Sequence, residues 1–165
     1  MPPVTCEELH PDDWARLRDI RLESLRESPH AFGGTFEAEK LFTEENWRAS
    51  FEKLAYITAA VEGTDAAIMS VEVLDGDFGA TCWIGGCWSN PEFRGKGLMR
   101  AMFNDLDLHA QARGWQVQGL GVWTDNSSAI AAYESLGFVS MGEAQPSSRQ
   151  QNKFYQRMIR KTFEG

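Results

Sequence analysis

The stretch NPEFRGKGLMR, residues 90–100, sets Gly95 and Gly97 among Arg94, Lys96 and Arg100, directly ahead of an amphipathic run. Glycines allow the backbone to approach an anion closely, and the first turn of a helix leaves N–H groups unpaired at the positive end of its dipole. Strand, glycine loop and helix start, in that order, make a phosphate site. It is not a Walker loop, which ends in G-K-[ST], and no acidic ribose ligand follows at the Rossmann distance of about 20 residues. A plain strand-to-helix turn would use the same glycines, so the loop alone leaves chain reversal open beside anion binding.

A second cluster lies in NSSAIAAYESLGF, residues 126–138. Asn126 suits the N-cap of a helix and Gly137-Phe138 suits its C-terminal end. Tyr133 follows Asn126 by two helical turns, so the amide and the phenol share one face. Ordinary capping explains both ends equally well.

These groups need a scaffold. Val4–Glu8 predicts a strand, and residues 12–28 a helix with Trp14, Leu17, Ile20, Leu22 and Leu25 apolar, stopped by Pro29. Residues 29–42 read as a loop with at most a short helical turn, of a length often functional. Thr43 caps a further helix with Glu44 and Glu45 in its first turn. Strands are expected over residues 55–62, 67–74 and 79–88, with a turn at Asp75-Gly76-Asp77. Then come a helix over 98–113 ended by Gly114, a strand over 116–123, a helix over 127–136 and strands over 138–141 and 153–161. The unit 79–88, helix, 116–123 is β-α-β and therefore parallel. The fold class is α+β with a mixed sheet, in one domain spanning 1–165.

A net charge of −8 repels phosphate backbones and argues against nucleic acid, while leaving cationic and amine substrates compatible. No apolar run is long enough for a membrane span or signal peptide, which points to a cytoplasmic protein. Cys6, Cys82 and Cys87 form an odd set without metal-ligand spacing, so they read as thiols, the latter two as small buried hydrophobes, and no metal is expected.

PEFRGKGLM, an amphipathic helix, and then WTDNSSAIAAYESLGF about 30 residues on resemble the GNAT superfamily of acetyl-CoA-dependent N-acetyltransferases. The resemblance is specific over residues 80–140; RLESLRESPHAFGGTFEAE and the closing KFYQRMIRK add weaker likeness. It implies a twisted, mostly antiparallel sheet with a central splayed parallel strand pair and flanking helices. It implies that Arg94, Gly95, Lys96, Gly97, Leu98 and Met99 contact the coenzyme A pyrophosphate, and that Cys87, Trp88 and Ser89 pair their backbone with the pantetheine arm. Asn126 matches a cofactor-contacting asparagine, and Tyr133 the tyrosine credited with protonating the departing thiolate. The family usually has Gly or Ala where this chain has Met99, whose side chain falls in register with Met102, Phe103, Leu106 and Ala110. Homodimers occur often in the family and carry over as an expectation.

Acetyl transfer from a thioester needs a neutral amine, an oxyanion donor and a proton for sulfur. A backbone N–H near Trp88 suits the second need and Tyr133 the third, although a phenol that only packs is the plainer reading. For a base, Glu72 alternates with Val71 and Val73 and so points away from them. Glu37, Glu39 and Asp125 are rivals, and deprotonation through water needs none of them. Trp83 and Trp88 are candidates for an acceptor pocket; His109, four residues after Asp105, reads as half of a surface pair. The sequence therefore predicts transfer to a primary amine on a small molecule. A protein or peptide acceptor, a non-catalytic coenzyme A-binding regulatory module and a nucleotide-binding structural domain are the alternatives.

Overall fold

A computed structural model describes residues 2–162. After β1 (Val4–Glu8), Pro11–Asp13 forms a 3-10 turn, so α1 (Trp14–Glu27) starts two residues later than the expected 12. Its buried face is Leu17, Ile20, Ser24 and Leu25, at helical spacing, and Pro29 follows directly on its C-cap, Ser28. The loop beyond holds one short helix, α2 (Phe36–Glu39), capped by the Thr35 side chain. Thr43 and Asn46 then cap each other's backbone at the start of α3 (Glu44–Ser50).

β2 (Leu54–Val61), β3 (Thr64–Val73), β4 (Cys82–Ser89), β5 (Val117–Trp123), β6 (Val139–Pro146) and β7 (Phe154–Lys161) complete a seven-stranded sheet ordered β1-β2-β3-β4-β5-β7-β6. Only β4 and β5 run parallel, joined across one face by α4 (Leu98–Leu108) and α5 (Ala110–Arg113). The single helix expected over 98–113 breaks at His109, whose φ of −107° leaves the helical range. His109 Nδ1 meets the Asp105 carbonyl at 2.9 Å, not its carboxylate, so the anticipated surface ion pair is replaced by a backbone contact. The last helix, α6 (Ser127–Ser135), precedes β6, which runs five residues beyond the four-residue strand expected there.

The sheet buries a different core on each face. Met69, Val71, Cys82, Ile84 and Leu120 pack under Leu98, Met102, Phe103 and Leu106 of α4. On the other face Ile68 and Trp88 meet Leu17, Ile20 and Leu25 of α1 and Trp47 of α3. Strand alternation assigns neighbours such as Ile68 and Met69 to opposite layers. Among the described residues, no helix is long and apolar enough to cross a membrane.

Two irregularities interrupt the centre. β4 and β5 stay paired only at Cys82–Gln118, Trp83–Gly119 and Ile84–Leu120, and then separate. On its other edge β4 opposes Ile68 with Trp88 and Ser70 with Gly85, so Gly86 and Cys87 share one partner, Met69. This is a bulge, and Gly86 carries the positive φ of 58° that it demands.

A polar knot beside the splay fixes β5. Arg160 of β7 gives 2.8 and 2.6 Å hydrogen bonds to Asp107 of α4, reaches Gln118 Oε1 at 2.9 Å and donates to the Leu136 carbonyl at 2.7 Å. Gln118, fully buried, in turn donates to Asp107 and to the Trp115 carbonyl. Removing one charge leaves the other poorly solvated, so Arg160→Met is expected to lower the unfolding free energy by about 2–4 kcal/mol in urea titration. A loss below about 0.5 kcal/mol would show that the knot behaves as a solvated surface pair.

Candidate active site

The glycine loop is built by short turns. Asn90 Oδ1 accepts the Glu92 N–H at 2.9 Å and caps a 3-10 turn, Pro91–Phe93. Gly95 and Gly97 then take φ of 76° and 85°, with open space where a Cβ would stand. Leu98, 2% exposed, pins the start of α4 into the core, and half-buried Met99 packs against the same cluster. Among the described residues, the amides of Gly95, Gly97, Leu98 and Met99 find no backbone carbonyl. They form an exposed row of donors at the positive end of a helix.

The basic side chains of the loop have other work. Arg94 donates to Glu27 at 2.7 Å and to the Ser89 carbonyl at 3.0 Å, which binds the loop to α1. Glu27 also accepts from the Ser28 hydroxyl and from Trp88 Nε1, and these donors, Ser28 foremost, hold its carboxyl below the ordinary range. Arg100 reaches the Ser135 carbonyl at 3.3 Å and Lys96 lies over the Phe93 ring. The expected ring of free positive charge is thus reduced, since Arg94 tethers the loop to α1 and Arg100 reaches a carbonyl.

Beyond Ile84 and Leu120 the parted strands bound a cleft of about 640 Å³. Gly85, Gly86 and Cys87 line one wall and Val122 the other, with Asn126 and Tyr133 at the α6 side. Asn126 Oδ1 accepts the Ala129 N–H at 3.2 Å, so the predicted cap and the predicted site residue are the same group. The Tyr133 phenol faces the Cys87 thiol; burial, reinforced by that thiol, raises its pKa well above the usual tyrosine range. Burial likewise pushes the Cys87 thiol up to about 11, with the Tyr133 hydrogen bond opposing the rise. Both stay protonated at neutral pH, which makes Tyr133 a donor and Cys87 a poor nucleophile. Cys82 lies buried in the core as expected, whereas Cys87 is only half-buried and belongs to the cleft wall.

A second cavity, about 550 Å³, adjoins the first and shares Trp83, Gly85, Gly86 and Arg149 with it. Glu72 lines it, turned away from Val71 as the alternation requires. Of the rivals, Glu37 lies exposed on α2, Glu39 is held by Arg21 through two 2.9 Å hydrogen bonds, and Asp125 pairs with Lys153, which draws its pKa down. Trp83 is a wall of both cavities, its ring resting on Gly119, where a Cβ would come within 2.5 Å of it. Trp88 is corrected: it is 3% exposed beneath α1 and lines neither cavity.

Arg21, Tyr56, Ser70 and Arg149 also face the second cavity and were not foreseen. Tyr56 and Ser70 were findable, since they sit opposite each other on strands that alternate. Arg149 lies in a polar turn whose sequence carries no periodic signal.

The family profile described as the acetyltransferase (GNAT) family matches residues 14–138. A GNAT-family acetyltransferase of Streptococcus pneumoniae superposes with a TM-score of 0.77 at 18% identity, over 98% of this chain and all of its own. The Salmonella typhimurium protein yncA, solved with its cofactor acetyl-CoA, gives 0.74 at 19% identity over 98% of this chain and 95% of its own. The ribosomal-protein-S18-alanine N-acetyltransferase of Escherichia coli gives 0.67 at 22% identity, over 99% and 96%. At these identities the superpositions establish the fold.

Gly97→Val places a β-branched side chain at positive φ in the space before the donor row. It is expected to weaken coenzyme A binding at least 10-fold by calorimetry, with circular dichroism unchanged; unaltered affinity would move the phosphates elsewhere. Iodoacetamide at pH 8 should modify Cys87 about 100-fold more slowly than free cysteine, because its thiolate fraction is so small. Rapid labelling by mass spectrometry would contradict the buried, protonated thiol.

Proposed function

The chain belongs to the acetyltransferase (GNAT) family and is an acetyl-CoA-dependent N-acetyltransferase, and we propose that it acetylates a primary amine on a small molecule by direct attack in a ternary complex. The observation that carries this reading is the junction of two cavities at the β4 bulge: a donor row and cleft on one side, a polar pocket on the other. The fit for acetyl-CoA is supported by the unpaired amides of residues 95 and 97–99 and by the open backbone edges of the parted strands. In this reading those amides take the pyrophosphate, residues Cys87, Trp88 and Ser89 pair with the pantetheine arm, and Asn126 contacts the same arm. When bound, the cosubstrate supplies an activated acetyl thioester.

The chain's own groups manage the protons. An ammonium acceptor loses two, one through Glu72 or a water beside it and one on forming the amide. Tyr133 gives its proton to the sulfur as the C–S bond breaks and the N–C bond forms, and it is restored by the second proton from nitrogen. In this reading a backbone N–H at the bulge, at Gly86 or Cys87, meets the developing oxyanion.

A peptide acceptor is the second reading, since the Escherichia coli neighbour acts on a ribosomal protein's alanine. Against it stands the polar turn beside the cleft, tied to the Phe32 loop by the 3.0 Å hydrogen bond from Gln150 to the Phe32 carbonyl, which in this reading leaves less room for a chain than for a small amine. The proposed setting is a reducing cytoplasm, consistent with three free thiols among the described residues.

Thiol release from acetyl-CoA across amines and short peptides tests the assignment; saturable binding without turnover on any acceptor would favour a non-catalytic module. Tyr133→Phe is expected to lower kcat roughly 10- to 1000-fold with coenzyme A affinity retained. Because its phenol remains protonated far above neutrality, wild-type kcat should not fall between about pH 8 and 9.5. A fall with a midpoint at or below about 10, absent in the Phe variant, would show that the Tyr133 pKa is not raised.

A further inference from the structure

We propose that the acceptor is a free α-amino acid with an apolar side chain, its carboxylate held by Arg149 and the unused edge of Arg21. This rests on the acetyltransferase reading above and specifies its acceptor. Arg21 spends Nε and Nη2 on Glu39, which fixes its guanidinium plane and leaves Nη1 without a partner among the described residues. That nitrogen lies 3.4 Å from where a Cβ on Gly86 would stand, so it borders the bulge where acetyl transfer is placed.

Arg149 carries a second unspent guanidinium. Its side chain crosses Gly33, with Cδ and Nη1 at 2.8 and 3.0 Å from that residue's absent Cβ, so a side chain there would push the guanidinium aside. Its turn is shaped by the Ser147 hydroxyl, which accepts the N–H groups of Arg149 and Gln150. Gln150 then ties the turn to Phe32. Among the described residues the Arg149 guanidinium meets no carboxylate and no carbonyl, although it lines both cavities at their junction.

An acceptor entering this cavity displaces water from two guanidinium edges. Desolvating charge without a partner is costly, and a carboxylate is the group whose paired oxygens match a guanidinium. The same cavity presents Glu72, which suits an ammonium, so its charges complement a zwitterion. Leu17, Phe42, Trp47 and Ile68 form an apolar stretch of wall beside the polar Asn46, Ser50, Tyr56 and Ser70, and that stretch suits an apolar side chain. A peptide or amino acid amide has no charge at this carboxyl and leaves Arg149 and the Nη1 edge of Arg21 without a counter-charge from the acceptor.

The test measures acetyl-CoA-dependent thiol release with the free amino acids, their α-carboxamides and alanyl peptides, alongside calorimetry of coenzyme A. Binding of N-acetyl amino acids to the coenzyme A complex, followed through tryptophan fluorescence, provides a readout without turnover. At least one apolar amino acid is expected to exceed its carboxamide 10-fold or more in kcat/KM. Arg149→Gln should shrink that ratio several-fold, chiefly through KM, Arg149→Lys should restore part of it, and coenzyme A affinity should hold. Carboxamides or peptides used as well as acids, an unchanged ratio in Arg149→Gln, or weakened coenzyme A binding in that variant would overturn the proposal. Failure to acetylate any amino acid while coenzyme A binds would overturn it and spare the cofactor site. Failure to bind coenzyme A at all would overturn both.

Discussion

Hydrogen bonding between β4 and β5 ends after Ile84 and Leu120, and the rest of the molecule is arranged around the gap. Unpaired strand edges inside a sheet are costly unless something else satisfies them. Here the bulge at Gly86 and Cys87 bends β4 away from its parallel neighbour while Trp88 and Ser89 stay registered to β3. The cleft therefore exposes backbone donors and acceptors of two strands in the middle of the sheet, where an extended amide-bearing ligand arm can complete them.

Keeping the gap open requires rigid flanks. On the β5 side, Arg160 joins α4, α6, β5 and β7 through Asp107, Leu136 and Gln118. On the β4 side, Glu27 gathers Trp88 and Arg94, so the strand, the glycine loop and α1 move as one piece. Leu98 and Met99 anchor the base of α4 in the core while their amides face outward. The Met99 side chain turns from the loop and packs against the core cluster that holds Met102 and Phe103.

Local periodicity carried most of the architecture. Helices α1 and α3 and the strands of the central sheet were legible because each buries one face against a two-sided core, whereas α6, which buries no residue fully, was legible from its capping residues. The break at His109 was not, since apolar spacing continues through Ala110 and only backbone geometry distinguishes the two helices. For the candidate site, the positive-φ glycine loop and the Asn126 cap were readable because turns and helix starts impose local rules, and Tyr133 falls beside them in the cleft. The tie of Arg94 to Glu27 was not legible: that carboxylate lies 67 residues away, beyond any local pattern. Arg21 and Arg149 were missed for the same reason, since one lies on α1 and the other in a distant turn, and they come together only at the second cavity.

The account turns on the gap between β4 and β5 being the place where the thioester lies. A crystal structure of the chain with coenzyme A and an N-acetylated acceptor would test this most directly. The predicted result has phosphate oxygens on the amides of residues 95 and 97–99, and sulfur between Cys87 and Val122 within hydrogen-bond reach of Tyr133. Coenzyme A bound outside this gap, or β4 and β5 paired beyond Ile84, would contradict it.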